Sequence, residues 1–217
     1  MNALHKSLLA VAAALLALAP LGTVQAATPA HATYAAHLYP LNTKVAKTAT
    51  TGEARFTING DRLTIDIRVH GASPDMVHWQ HFHGFADGQQ AVCPAIGSDK
   101  NGDGVIDLIE TGQVAGTTMV PFIAQPASMD VAHGSYPTAD ARGNYHYHET
   151  VSLPALEQAF AKAFPGQQLD LNKRVVFIHG VPAGTALPSS VQSLGPIPAQ
   201  VTLPIACGQI ERVGTRR

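Results

Sequence analysis

Charge is scarce in this chain. Of 217 residues only 13% are Asp, Glu, Lys or Arg, 15 acidic against 14 basic, for a formal charge of −1 at pH 7. No basic run exceeds the terminal Arg216-Arg217, so the electrostatic footprint needed on a nucleic-acid backbone is missing and such partners are excluded. Aromatics are thin, with 7 Phe, 5 Tyr and 1 Trp, while 19 Gly and 15 Pro break the chain at short intervals. That composition disfavours long helices and predicts short strands joined by turns. Long apolar runs are limited to one, Ser7 to Leu18, preceded by Lys6 and followed by Val24-Gln25-Ala26. The pattern predicts a signal peptide over 1–26 and a secreted or periplasmic protein. No second run of that kind follows, so no membrane span is expected after cleavage. Cysteine is limited to Cys93 and Cys207. In an oxidising compartment they are expected to form one disulfide, whose long loop is worth on the order of 4 kcal/mol.

What is present reads as one all-β domain over 51–213, with 27–50 as an N-terminal segment leading into it. From Tyr34 to Lys47 the sequence is Ala-rich with little period. From Gly52, apolar Ala54, Phe56 and Ile58 alternate with polar residues, and Asn59-Gly60-Asp61 turns the chain into the alternation Leu63, Ile65, Ile67, Val69. These two runs predict a hairpin. Further strands are expected over Val77 to Phe85, Gly143 to Val151, Lys173 to His179 and Gln200 to Ile210. Ser152 caps one expected helix from Leu153 to Phe164. The set describes an antiparallel sandwich or barrel with one inserted helix.

Two groups of residues carry chemistry. The first is His78-Trp79-Gln80-His81-Phe82-His83-Gly84-Phe85-Ala86-Asp87. His81 and His83, two apart on a strand, project from one face and can both reach a Cu or Zn ion at about 2.0–2.1 Å. The second is Asp99 to Glu110. Asp99, Asn101 and Asp103 stand at positions 1, 3 and 5 of a twelve-residue EF-hand pattern, Gly104 permits the sharp turn, the Val105 carbonyl serves position 7, Asp107 acts through water and Glu110 is bidentate. Oxygen donors in this number favour Ca²⁺ over Mg²⁺. Cys93 to Gly97 cannot form a normal entering helix and Gly112 is expected to cut the exit helix short, so this is a lone structural loop.

The run from His78 to Asp87 with Cys93 shortly after it resembles the metal-binding strand of the Cu/Zn superoxide dismutases. The Gly52-to-Val69 hairpin, Val175-Val176-Phe177-Ile178-His179 and Ala206-Cys207-Gly208-Gln209-Ile210 keep that family's order. The resemblance implies a Greek-key β-sandwich or barrel, His81, His83 and His179 as copper ligands, Cys93–Cys207 as the bridge, and superoxide as the substrate. The His-x-His-Gly stretch after a hairpin is also similar to the CHRD domain, which implies instead a non-catalytic binding or structural module. A third histidine converging on His81 and His83 would favour the first, and a dispersed set the second.

The departures bear on activity. Where the dismutases carry a metal-bridging histidine, this chain has Pro94 to Asp99 without one, and only His133 lies between Cys93 and Tyr145. A zinc site of the family's kind is therefore not expected, and Ca²⁺ in the 99–110 loop is expected to order the connection instead. Pro204 stands where the family has an arginine, and Gly180 to Ala206 contains no charge. At most weak dismutation is expected of a chain that cannot steer an anion inward. His146, His148 and His133 are expected to be surface residues able to supply a further ligand, and His70 and His78 to make structural hydrogen bonds. Ser189-Ser190 have no base at a recognisable spacing, which excludes nucleophilic catalysis. Protein partners are not legible.

Overall fold

The computed structural model describes residues 31–214; the expected signal peptide, 1–26, lies outside the described residues. In chain order the elements are β1 (His31–Pro40), α1 (Thr43–Ala46), β2 (Thr51–Asn59), β3 (Arg62–His70), β4 (Gln80–Gly84), α2 (Leu108–Ala115), β5 (Thr117–Pro121), β6 (Tyr145–Ser152), α3 (Leu153–Ala163), β7 (Val175–His179), α4 (Ala199–Thr202), β8 (Pro204–Gln209) and β9 (Glu211–Arg212). The strands lie in the order β5-β4-β7-β8-β1-β2-β3-β6, with β9 paired to β1. All of these pairings are antiparallel. The all-β expectation holds at this level.

The alternation in the hairpin acts as a strand period should. Leu63, Ile65, Ile67 and Val69 are buried while Arg62, Arg68 and His70 face out, and Asn59 pairs with Arg62 across a turn in which Gly60 takes φ 61°. On β6, Tyr145 and Tyr147 turn inward and His146 and His148 outward. The buried hydroxyls find partners: Tyr145 donates to Gln80 Oε1 at 3.2 Å and Tyr147 to the Ile123 carbonyl at 2.8 Å. These bonds draw β6, at one end of the strand order, toward β4 and the chain leaving β5. The core between them holds Phe56, Phe82, Phe122 and Phe160. α3 starts on the Ser152 cap and buries Leu156 and Phe160.

Several boundaries differ from expectation. β1 lies within 27–50, expected only to lead into the domain, yet it pairs with β2 along eight residues and with β8 and β9. Its inward face is short, Tyr34, Ala36 and Leu38 toward the core with His37 and Tyr39 exposed, so pairing on both edges contributes much to making it a strand. β5 has no counterpart in the expected set. β4 is shorter, Val77 making only an isolated bridge to Thr138, and Gln200 belongs to α4 with the last long strand starting at Pro204. α2 runs through Gly112 to Ala115 because Asp107 caps it, accepting from Ile109 and Glu110 N–H groups. Two helices longer than one turn are therefore inserted, not one.

β4 and β7 are buried on both faces. Phe82, Val176 and Ile178 point into the main core. Their neighbours in alternation, Val175 and Phe177, face the other way and pack with Ala91, Ala115 and Cys207 in a second cluster. The chain between β4 and β5 covers that outer face, and the Cys93–Cys207 disulfide, with Cα atoms 5.8 Å apart, fastens it to β8.

Candidate metal centre

Strand alternation puts His81 and His83 on the covered outer face of β4, beside Phe177 of β7. His179 ends β7 at a bulge between Ile178 and itself on the β8 side, the kind of irregularity that re-aims a side chain. Its backbone N–H donates to the Trp79 carbonyl at 2.8 Å. The three rings meet: centroids are 4.8 Å apart for His81 and His83, 4.6 Å for His81 and His179, and 6.1 Å for His83 and His179. All are buried, at 3%, 1% and 2% exposure for His81, His83 and His179. One nitrogen of each lies within 4.8 Å of the others'.

The partners of the remaining nitrogens define the centre. His179 Nδ1 donates to the Thr202 carbonyl at 2.7 Å, which leaves the Nε2 lone pair free. His83 Nε2 meets Thr118 Oγ1 at 3.1 Å. His81 Nδ1, His83 Nδ1 and His179 Nε2 are then buried with no hydrogen-bond partner. A buried polar atom without a partner costs free energy, and three such atoms on histidines whose ligand nitrogens lie within 4.8 Å of one another fit a metal ion, with the second nitrogens of His83 and His179 oriented by neighbouring groups as those of metal-bound histidines are. The close fit of β4 to its surroundings is set by glycine: a Cβ on Gly84 would collide with the Arg174 side chain, and one on Gly116 with the Gly84 carbonyl. Beside the rings lies a cavity of about 20 Å³ lined by Trp79, Leu108, Thr118, Val131, Leu194 and Thr202, none charged. It holds about one water-sized ligand.

Burial holds the imidazoles neutral. It lowers His81 well below the ordinary value, with His179 and His83 adding to the shift, brings His83 to about 3 with help from His179, and brings His179 to about 4. In the metal-free protein this destabilises on acidification, since the unfolded chain takes up protons near 6.5 while the folded one does not until about 4 and below. Stability is full above 6.5 and falls through that window. From pH 7.5 to pH 6 the three histidines together are expected to cost about 2 kcal/mol. Urea unfolding of chelator-treated protein at the two pH values checks this, and equal midpoints would contradict it.

His78 stays outside the centre, its Nδ1 2.9 Å from the His179 carbonyl and its Nε2 2.8 Å from the Ser73 carbonyl, so it steadies the backbone that carries His179. His133 is exposed and pairs with Asp130, and His70 meets Asn144. Thr118 and the Thr202 carbonyl were not foreseen. The β-branched run after Gly116 is a weak signal for the first, and a main-chain carbonyl leaves none.

The 99–110 loop has its turns in place. Asp99 accepts from Gly102 and Gly104, Asn101 from Asp103, and Asp103 from Val105. Glu110 reaches back to accept from Lys100, Asn101 and Asp107 N–H groups. Asp107 and Glu110 are buried, at 2% and 5% exposure, and none of the loop's four carboxylates has an ion-pair partner among the described residues. The carboxylates are not gathered on one point as the histidines are; each is turned toward loop N–H groups. The donor chemistry is nonetheless that of a hard cation.

No protein-family model matches the chain, and no curated protein matches it. The residues themselves define the class: a mostly antiparallel β protein with one disulfide and a buried three-histidine group able to hold a metal ion.

Proposed function

We propose that this is a secreted or periplasmic metal-binding protein of the Cu/Zn superoxide dismutase-like type, with copper at His81, His83 and His179, structural calcium in the 99–110 loop, and at most weak superoxide turnover. The observation that carries the reading is the convergence of three buried, partnerless imidazole nitrogens from two strands. A dispersed set would have favoured the CHRD-like module. The strand order supports the Greek-key assignment, since β7 returns beside β4, β6 beside β3 and β8 beside β1. The disulfide supports export.

Copper suits the centre on electrostatic grounds. Three neutral nitrogens supply no negative charge, and a monovalent ion is far cheaper to bury among them than a divalent one; imidazole is also a good copper ligand. Copper when bound would supply one-electron redox chemistry. The chain's own contribution is to hold three nitrogens at the metal, keep them deprotonated and leave space for one small ligand. It supplies no cation beside that space, Pro204 being an apolar end of β8. Calcium is assigned from the oxygen donors and from two buried carboxylates without a cation.

Titration with Cu(I) against a chromophoric chelator tests this. One tight equivalent is expected, weakened about 100-fold or more by His179→Ala, and superoxide turnover well under the diffusional ceiling of about 10⁸–10⁹ M⁻¹s⁻¹. Equal affinity of the two proteins would remove His179 from the site, and turnover at that ceiling would overturn the assignment of weak activity.

A further inference from the structure

The structure assigns a second metal site that owes nothing to the first: Asp66, His146 and His148, on the solvent face of the sheet, form an open transition-metal site. His146 and His148 alternate with the inward tyrosines of β6, so both project outward. The β3–β6 register sets Asp66 directly opposite His148 and Arg68 opposite His146. The consequence is convergence, not merely a polar face. His146 Nε2 lies 2.8 Å and His148 Nδ1 2.9 Å from the same carboxylate oxygen, Asp66 Oδ2. Among the described residues this is the one group besides the buried histidines whose potential ligand atoms all fall within 4.8 Å of one another.

The surroundings favour ligation over a plain ion pair. Arg68 Nε holds the other oxygen, Asp66 Oδ1, at 3.3 Å, which orients the carboxylate and leaves Oδ2 toward the imidazoles. Arg55, which pairs with Asp66 across β2 and β3, is engaged by Glu53 at 2.9 Å. Arg55 is thus partnered elsewhere, and Arg68 occupies only the oxygen that faces away from the imidazoles. Both histidine side chains are about half exposed, at 45% and 56%. Ligation through the facing nitrogens requires each neutral ring to carry its proton on the other nitrogen, and half-exposed rings can meet that need with water rather than a buried partner. Two imidazoles and one carboxylate suit a borderline divalent ion such as Zn²⁺, held at about 2.0–2.1 Å with water in the remaining position. A hollow of about 380 Å³ on the Asp66 and His148 side, lined also by Thr57, Thr64 and the Glu53, Arg55 and Arg68 side chains, gives that water room. In contrast to the enclosed centre, this site has a carboxylate, shared with Arg68, and is open to solvent.

Calorimetric titration of the chelator-stripped full chain with Zn²⁺, in excess Ca²⁺ to occupy oxygen donors, tests the assignment. In a His179→Ala background one Zn²⁺ equivalent is expected to remain, to vanish when His146→Ala and His148→Ala are added, to weaken about tenfold or more with Asp66→Asn, and to persist with His133→Ala. Should the alanine pair unfold the protein in chelator, His146→Gln with His148→Gln keeps a hydrogen-bonding surface and serves in its place. Undiminished Zn²⁺ binding by the folded double variant would overturn the site. Unchanged Cu(I) affinity of that variant in the otherwise wild-type chain separates this result from any failure at His81, His83 and His179.

Discussion

Removing the disulfide, by Cys93→Ala with Cys207→Ala, is expected to cost about 4 kcal/mol and to lower the melting temperature by roughly 10 °C. The bridge closes a loop with a sequence separation of 114, and the entropy it withholds from the unfolded chain grows with that length. The location adds a local effect. Cys207 is buried against Val175 and Phe177, and Cys93 anchors the segment that lies over the outer face of β4 and β7. Without the anchor, the cover of the histidine centre is held by side-chain packing, the β5 pairing and a few hydrogen bonds such as Ala91 N–H to the Lys173 carbonyl, so Cu(I) affinity should fall together with stability. Urea unfolding of the double variant measures the first effect and chelator competition the second. A loss under about 1 kcal/mol, or two free thiols in the unfolded unreduced wild type, would contradict the role given to the bridge.

Calcium is expected to stabilise the fold by about 2.7 kcal/mol at a hundredfold excess over its dissociation constant, a shift of roughly 5–10 °C. The metal-free loop confines Asp99, Asp103, Asp107 and Glu110 within twelve residues, and its one cation, Lys100, turns its ammonium to the Gly97 carbonyl and pairs with none of them. The gain should reach the histidine centre, because the loop is tied to the segment that follows β7. Ser190 Oγ donates to Asp103 Oδ2 at 2.5 Å and the Gln192 N–H to Asp107 Oδ2 at 2.7 Å, and Leu194, two residues on, lines the small cavity beside His81 and His179. Glu110→Gln retains an acceptor for the loop N–H groups but removes the bidentate carboxylate. Because the amide can replace only one of the two accepting oxygens, the variant should be less stable than wild type in chelator and should fail to gain stability in Ca²⁺. An unchanged melting temperature of the wild type after confirmed calcium removal would count against the loop as a binding site.

How far residues disclose structure varies along this chain for physical reasons. The β2–β3 hairpin was legible because half its side chains enter one core and the period of two is unbroken from Leu63 to Val69. α3 was legible because a cap, a proline in the first turn and an apolar stripe agree. β1 was not: its inward residues Tyr34, Ala36 and Leu38 do alternate, but alanines on both faces blur the period, and pairing with strands on both sides completes it. β5 was hidden because it exists only by pairing with β4. At the centre, the shared face of His81 and His83 followed from their spacing alone. The outward face of His179 follows from alternation with Val175 and Phe177, but its arrival beside His81 and His83 is a tertiary event, anticipated only through the dismutase resemblance. The orientation of its ring rests on a backbone carbonyl, Thr202, to which side-chain identity is irrelevant. His146 and His148 were readable as an outward pair, but not the Asp66 that β3 sets against them.

The most direct test of the central claim is metal analysis of the protein purified from cells under native conditions, with copper and calcium quantified together after dialysis against free histidine to strip loosely held ions. The wild type should retain one copper and one calcium per chain, and His179→Ala should lose the copper while keeping the calcium. Equal copper in both proteins, or none in the wild type, would contradict a copper centre built from His81, His83 and His179.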